Sequence, residues 1–151
     1  MILRRGALIL LMILGMLYAQ DGPPAGRPSL RERAAKGDPD AQFTLAKNYE
    51  AGRGGLKKDY VEAQHWYREA AQQGDPFAQA SLALLYRFGK GVPQDYVQAY
   101  MWFQLSVNRL TGPDRDSVVE LRDAAASHMA PQQIEEARHL ARDWKPGATQ
   151  K

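Results

Sequence analysis

The chain contains an internal repeat, and this constrains its fold more than any other feature. From Asp38 it reads DPDAQFTLAKNYEAGRGGLKKDYVEAQHWYREAAQQG, and from Asp75 it reads DPFAQASLALLYRFGKGVPQDYVQAYMWFQLSVNRLTG. Asp38/Asp75, Ala41/Ala78, Leu45/Leu82, Tyr49/Tyr86 and Gly52/Gly89 lie 37 residues apart. Past the central loop the spacing becomes 36, in Asp59/Asp95, Tyr60/Tyr96, Ala63/Ala99 and Trp66/Trp102, so the first loop holds one extra residue. A period of this size specifies stacked two-helix units, each with an apolar face that only a neighbour can cover. The expected fold is all-α: a short α/α solenoid of helix-loop-helix repeats with helical caps.

Local rules delimit the helices within each unit. Asp38-Pro39 and Asp75-Pro76 pair a capping side chain with proline at the first helical position, where its missing N–H costs nothing. Ala41, Leu45 and Tyr49 then recur at spacing four, as do Ala78, Leu82 and Tyr86, making one apolar stripe on each first helix. Gly52 and Gly89 supply the positive φ of a C-terminal cap. The second helices open at Asp59-Tyr60-Val61-Glu62 and Asp95-Tyr96-Val97-Gln98, capping boxes with Asp as the cap. Ala63, Trp66 and Ala70 form an inner stripe, matched by Ala99 and Trp102, and Gly74 and Gly112 are expected to end these helices. The repeats therefore occupy 38–74 and 75–112 within a region 29–112, preceded by a half-repeat over 29–37 that opens with a Ser29–Glu32 capping box. Beyond Pro113, a helix over Ser117–Met129 and another from Pro131 to about Trp144 read as a capping hairpin, 113–145, with 146–151 as a frayed tail.

The N-terminus reads differently. Arg4 and Arg5 precede an uncharged run, Gly6 to Leu17, and then Tyr18-Ala19-Gln20, the three-part form of a signal peptide. As a helix, Gly6 to Ala19 would span about 21 Å, short of the roughly 30 Å hydrocarbon layer, so cleavage after Ala19 is favoured over a retained anchor. Residues 20–28, QDGPPAGRP, form a flexible linker. The expected product is periplasmic or secreted, with no stable membrane span. Removing 19 of 151 residues takes two of the 20 basic side chains and none of the 17 acidic ones, which leaves a net charge of +1. Opposite charges alternate along the remainder without the basic stripe that nucleic acid requires. With no cysteine, a lipobox, thiolate metal sites and disulfides are all excluded.

The pattern A-A-x-x-G-D-x-x-A-Q-x-x-L-A-x-x-Y-x-x-G-x-G-V-x-x-D-Y-x-x-A-x-x-W resembles the Sel1-like repeat, a relative of the tetratricopeptide repeat with a longer loop between its helices. The resemblance covers about residues 30–110, and Met129–Glu135 with Ala141–Trp144 is similar to the closing hairpin of small bacterial members. Departures fall at Gly55-Leu56-Lys57, where the family favours Gly-Val-Pro, and at Ser106-Val107, where Ala-Ala is usual. The resemblance implies a non-catalytic adaptor or scaffold that binds other proteins or peptides, in some members at the bacterial envelope. It also raises a peptidoglycan-associated or β-lactam-interacting role.

Chemical motifs argue for the adaptor. No serine begins a Ser-x-x-Lys and no Lys-Thr-Gly occurs, so the nucleophile of a β-lactam enzyme has no lysine partner. His65, His128 and His139 are scattered, with no His-x-x-x-His pair for a metal, and no cofactor is expected. The Gly-x-Gly pairs at 52–54 and 89–91 follow helices instead of strands, which makes them turn glycines and not phosphate cradles. If Leu45, Ala46 and Tyr49 face inward as in tetratricopeptide relatives, the concave face of the first unit presents Asp40, Phe43, Lys47 and Glu50. The second unit presents Phe77, Ala80, Leu84 and Arg87. Phe43, Lys47, Glu50, Phe77, Leu84 and Arg87 are thus the candidate protein- or peptide-binding residues, mixing apolar anchors with charge of both signs. The alternative is that Phe43, Phe77 and Leu84 pack between neighbouring units.

Overall fold

Aspartate caps start four of the helices in the computed structural model, which describes residues 27–147. The expected leader, 1–19, and residues 20–26 of the expected linker lie outside the described residues, as do 148–151. Every regular element among the described residues is a helix: α1 (Leu30–Ala35), α2 (Pro39–Ala51), α3 (Tyr60–Gln72), α4 (Pro76–Phe88), α5 (Tyr96–Val107), α6 (Gly112–Ala126) and α7 (Pro131–Asp143). Each helix from α1 to α5 packs on the next, and α7 returns to lie on α5.

Asp38 accepts from the Ala41 N–H at 3.1 Å and Asp75 from that of Ala78 at 2.6 Å, so α2 and α4 begin where the Asp-Pro pairs predict. Asp59 accepts from Val61 and Glu62 and Asp95 from Gln98, which is the aspartate half of each expected box. Only Ser29–Glu32 forms both halves, with bonds of 3.2 and 2.7 Å. Gly52 and Gly89 end α2 and α4 in the left-handed conformation, at φ +67° and +64°. The loops then close identically, the Asp59 N–H on the Tyr49 carbonyl and the Asp95 N–H on that of Tyr86. Gly91 answers to a tighter constraint: its φ is +70°, and a Cβ there would stand 2.3 Å from the Tyr60 carbonyl oxygen. The second loop rests on the start of α3 through bare backbone.

Three expectations need correction. Gly112 does not end the second helix of its repeat: α5 stops at Val107, and Gly112 opens α6. That helix starts five residues before Ser117, because Pro113 and Asp114 suit a first turn, and it stops at Ala126, before the Ala130-Pro131 step that disfavours helix. α6 and α7 each lie against α5. The reason is that α5 carries apolar residues all round, burying Ala99, Tyr100, Met101, Trp102, Phe103, Leu105, Ser106 and Val107. The tail is also tied at its root, where the Gly147 N–H donates to the Gln72 carbonyl at 2.9 Å.

The core runs along the array in two clusters. A small one joins Ala34, Ala41 and Leu45; the larger extends from Ala46 to Ala141, and Tyr49 and Trp66 pack against both. Fully buried alanines at 63, 70, 71 and 99 let paired helices approach closely. Polar staples repeat with the period. Gln42 Nε2 donates to the Ala34 carbonyl and Gln79 Nε2 to the Ala71 carbonyl, both at 3.1 Å, satisfying carbonyls near the end of the preceding helix. Arg31 donates to the Tyr49 hydroxyl and Arg68 to that of Tyr86, each guanidinium also facing the ring. Ser106, where the repeat pattern favours alanine, donates to the Pro76 carbonyl at 2.7 Å and ties α5 to the start of α4.

Candidate functional site

Helix α2 places Phe43, Lys47 and Glu50 on one face, at i, i+4 and i+7. They line a half-open hollow of about 330 Å³ with Thr44, Asn48, Ala51 and Arg53. Phe43 is half-buried, its ring centroid 5.8 Å from Tyr67 and 6.4 Å from Phe77. The Lys47 ammonium lies 5.4 Å from the Phe43 centroid, within cation–π range. Glu50 accepts from the Tyr67 hydroxyl at 2.7 Å. Burial, helped by the Glu50 carboxylate, pushes the Tyr67 phenol well above its ordinary value. Tyr67 therefore remains a donor and holds Glu50 at the edge of the hollow.

The other expected residues are placed differently. Phe77, on α4, is 47% exposed and extends the aromatic edge begun by Phe43. Asp40 is exposed on the first turn of α2, and Ala80 is partly buried against the core. Leu84 also packs partly buried against the core. Arg87 lies 5.1 Å from the ring of its neighbour Phe88. Neither Leu84 nor Arg87 lines the hollow, whose walls come from α2 and the turn after it. The structure thus gathers Phe43, Lys47, Glu50 and Phe77 and sets Leu84 and Arg87 apart from them.

Sequence reasoning missed Tyr67 and Arg53. A signal for the first existed: Glu50 and Tyr67 correspond by register to Arg87 and Phe103, so acceptor and donor are replaced together in the second repeat. His65 lies edge-on to Trp66, His128 stacks on Tyr96 and His139 pairs with Asp143 at 2.9 Å. Among the described residues no group of three or more His, Asp or Glu is arranged to hold a metal ion, and no helix is long and apolar enough to cross a membrane.

The Sel1 repeat family model matches residues 39–75 and 76–109. Two strains of Caulobacter vibrioides each contain a localization factor, PodJL, that is 43% identical over 47 residues. That match covers 31% of this chain and only 5% of the relative. Among solved structures, a protective antigen of uropathogenic Escherichia coli with an SLR fold aligns at TM-score 0.68 and 37% identity, over 76% of this chain and 24% of that one. A Sel1 repeat protein from Oxalobacter formigenes aligns at TM-score 0.56 and 28% identity, over 76% of this chain and 87% of its own. With the 37-residue period, the left-handed loop glycines and the repeated glutamine staples, these matches identify the chain as one built on two Sel1 repeats in an α/α solenoid.

Proposed function

We propose that this chain is a non-catalytic adaptor of the bacterial envelope that binds a protein or peptide partner on the face of α2 and the start of α4. The observation that carries the reading is the half-open hollow of α2. It sets a partly exposed aromatic pair, Phe43 and Phe77, beside the cations Lys47 and Arg53 and a positioned carboxylate, Glu50. Apolar anchors ringed by groups that fix orientation are what a peptide-binding surface needs. Export is supported by the Arg4-Arg5 pair, the Gly6–Leu17 run and Ala19.

Site-specific photocrosslinking in the native envelope tests the surface. A crosslinker at Phe77 should trap a discrete protein adduct, and one at exposed Glu120 on α6 should not. Lys47→Glu combined with Arg53→Glu should abolish the Phe77 adduct while leaving the melting temperature nearly unchanged, because exposed charges contribute little to stability. An adduct that persists in the charge-reversed protein would refute this surface. Terminal sequencing tests export: a start at Gln20 in a soluble fraction supports it, and an intact Met1 in washed membranes refutes it.

A further inference from the structure

A second concavity lies at the opposite end of the array, between the C-terminal halves of α5 and α7. Two cavities of about 260 and 370 Å³ adjoin there and share Asn108 and Ala141. Gln104, Arg138 and Arg142 complete the first; Leu105, Arg109, Trp144 and Pro146 complete the second. Three guanidinium groups face this space, and no carboxylate is among the lining residues.

Two of the three cations are held in place. Arg138 donates to the Tyr100 hydroxyl at 3.3 Å and to Glu135 at 2.6 Å, which fixes its guanidinium against α5. Arg109 lies 5.8 Å from the Trp144 ring and presses on Gly74, where a Cβ would stand 2.9 Å from its Nη1. Arg142 has no ion-pair partner among the described residues. Asn108, whose Oδ1 already accepts from Gln104, retains its NH2 as a donor. Preorganised arginines favour planar oxyanions, which they bind through paired charge-assisted bonds with little further loss of rotamer freedom.

The two cavities differ in chemistry. The first is lined by cations and amides beside Ala141, whereas the second adds Leu105, Trp144 and Pro146 to its arginine. A small inorganic anion would leave the second half unfilled, and a phosphate polymer would need a longer basic track than this groove offers. We propose that the groove binds a short acidic peptide segment, its carboxylates on Arg138, Arg142 and Asn108 and a neighbouring apolar side chain against Trp144 and Leu105. The site is independent of the α2 hollow.

The test uses the whole chain and a fluorescein-labelled, C-terminally amidated peptide, Gly-Glu-Leu-Glu-Glu-Leu-Gly, with its Gln-for-Glu counterpart as control. The acidic peptide should bind, more weakly at higher salt, and should move the indole N–H resonance of Trp144, identified by its loss in Trp144→Phe. Arg138→Gln with Arg142→Gln should weaken binding by about tenfold or more, as expected when charge-assisted bonds are removed. Arg142→Gln alone preserves the Arg138–Tyr100 bond and should weaken it several-fold with an unchanged circular dichroism spectrum. Lys47→Glu with Arg53→Glu should leave this binding intact, which separates failure here from failure at the α2 surface. The proposal is overturned by equal binding of the Gln peptide, by full affinity in Arg142→Gln, by no binding at about 1 mM peptide, or by inorganic phosphate displacing the peptide at matched concentration.

Discussion

The two repeats share their helix starts, loop glycines and buried glutamines, yet they are buried to different depths. Of its thirteen residues α3 buries Ala63, Tyr67, Ala70 and Ala71, whereas its counterpart α5 buries eight of twelve. The contrast comes from neighbours. α3 is packed by α2 and α4, while α5 is packed by α4, α6 and α7. Among the described residues the first repeat is capped only by the six-residue α1, so Trp66 stays half-buried where its equivalent Trp102 is 3% exposed and meets Trp144 edge to face. One sequence pattern thus yields a shallow unit and a deep one, and the shallow unit keeps the open hollow on α2.

The tryptophans give the largest expected effect. Trp102→Ala should cost about 3–5 kcal/mol in chemical denaturation, and Trp66→Ala about half as much because less of its surface leaves water on folding. Equal losses would erase the difference in depth.

The loops come next. Gly91→Ala must displace backbone, since its Cβ would collide with the Tyr60 carbonyl, and should cost about 2 kcal/mol or more. Gly55→Ala, at φ +75° with open space around it, should cost about 1 kcal/mol from the left-handed conformation alone. If the two were equal by urea midpoint, the second loop would not rest on α3.

Tyr67→Phe should cost about 1 kcal/mol, because it strips Glu50 of its donor without changing shape. It should also loosen Glu50 at the hollow and lower crosslinking from Phe77. A stability loss with unchanged crosslinking would show that the Glu50–Tyr67 pair serves the first repeat's packing alone.

The smallest effect is acid sensitivity at the N-terminal cap. The Ala41 N–H, and then Arg33, hold the Asp38 carboxyl below its ordinary value of 3.8. A depressed carboxylate contributes stability that is fully present above 3.8 and is lost as pH falls through the lower folded value. Asp38→Asn keeps the cap acceptor and removes the charge. Its melting temperature should therefore lie slightly below wild type at neutral pH, with the gap closing in acid. A gap that widens in acid would break this assignment.

Much of the architecture was legible in the sequence because it depends on local chemistry. An Asp-Pro pair starts a helix through its own side chain and fixed φ, and a glycine four turns later ends it through its own freedom at positive φ. Correspondence over 36 or 37 residues then requires each unit to stack on a copy of itself. Half of the candidate surface was legible for the same reason: Phe43, Lys47 and Glu50 share one helix, so spacing alone places them together.

What crossed between helices was not legible. Gly112 opens a helix instead of closing one because the packing of α5, α6 and α7 decides where the chain turns. Leu84 sinks toward the core and Arg87 turns to Phe88, whereas Phe77 reaches back to Phe43, and helical spacing treats all three alike. The arginine groove depends on α7 folding back along α5, which brings Asn108 beside Ala141 from 33 residues away. Sequence by itself determined the units and their order, because capping and periodicity act within a few residues. Burial depth, the tail's attachment, the α2 hollow and the arginine groove were decided by tertiary structure alone, because each depends on which apolar surface remains uncovered after every helix has packed.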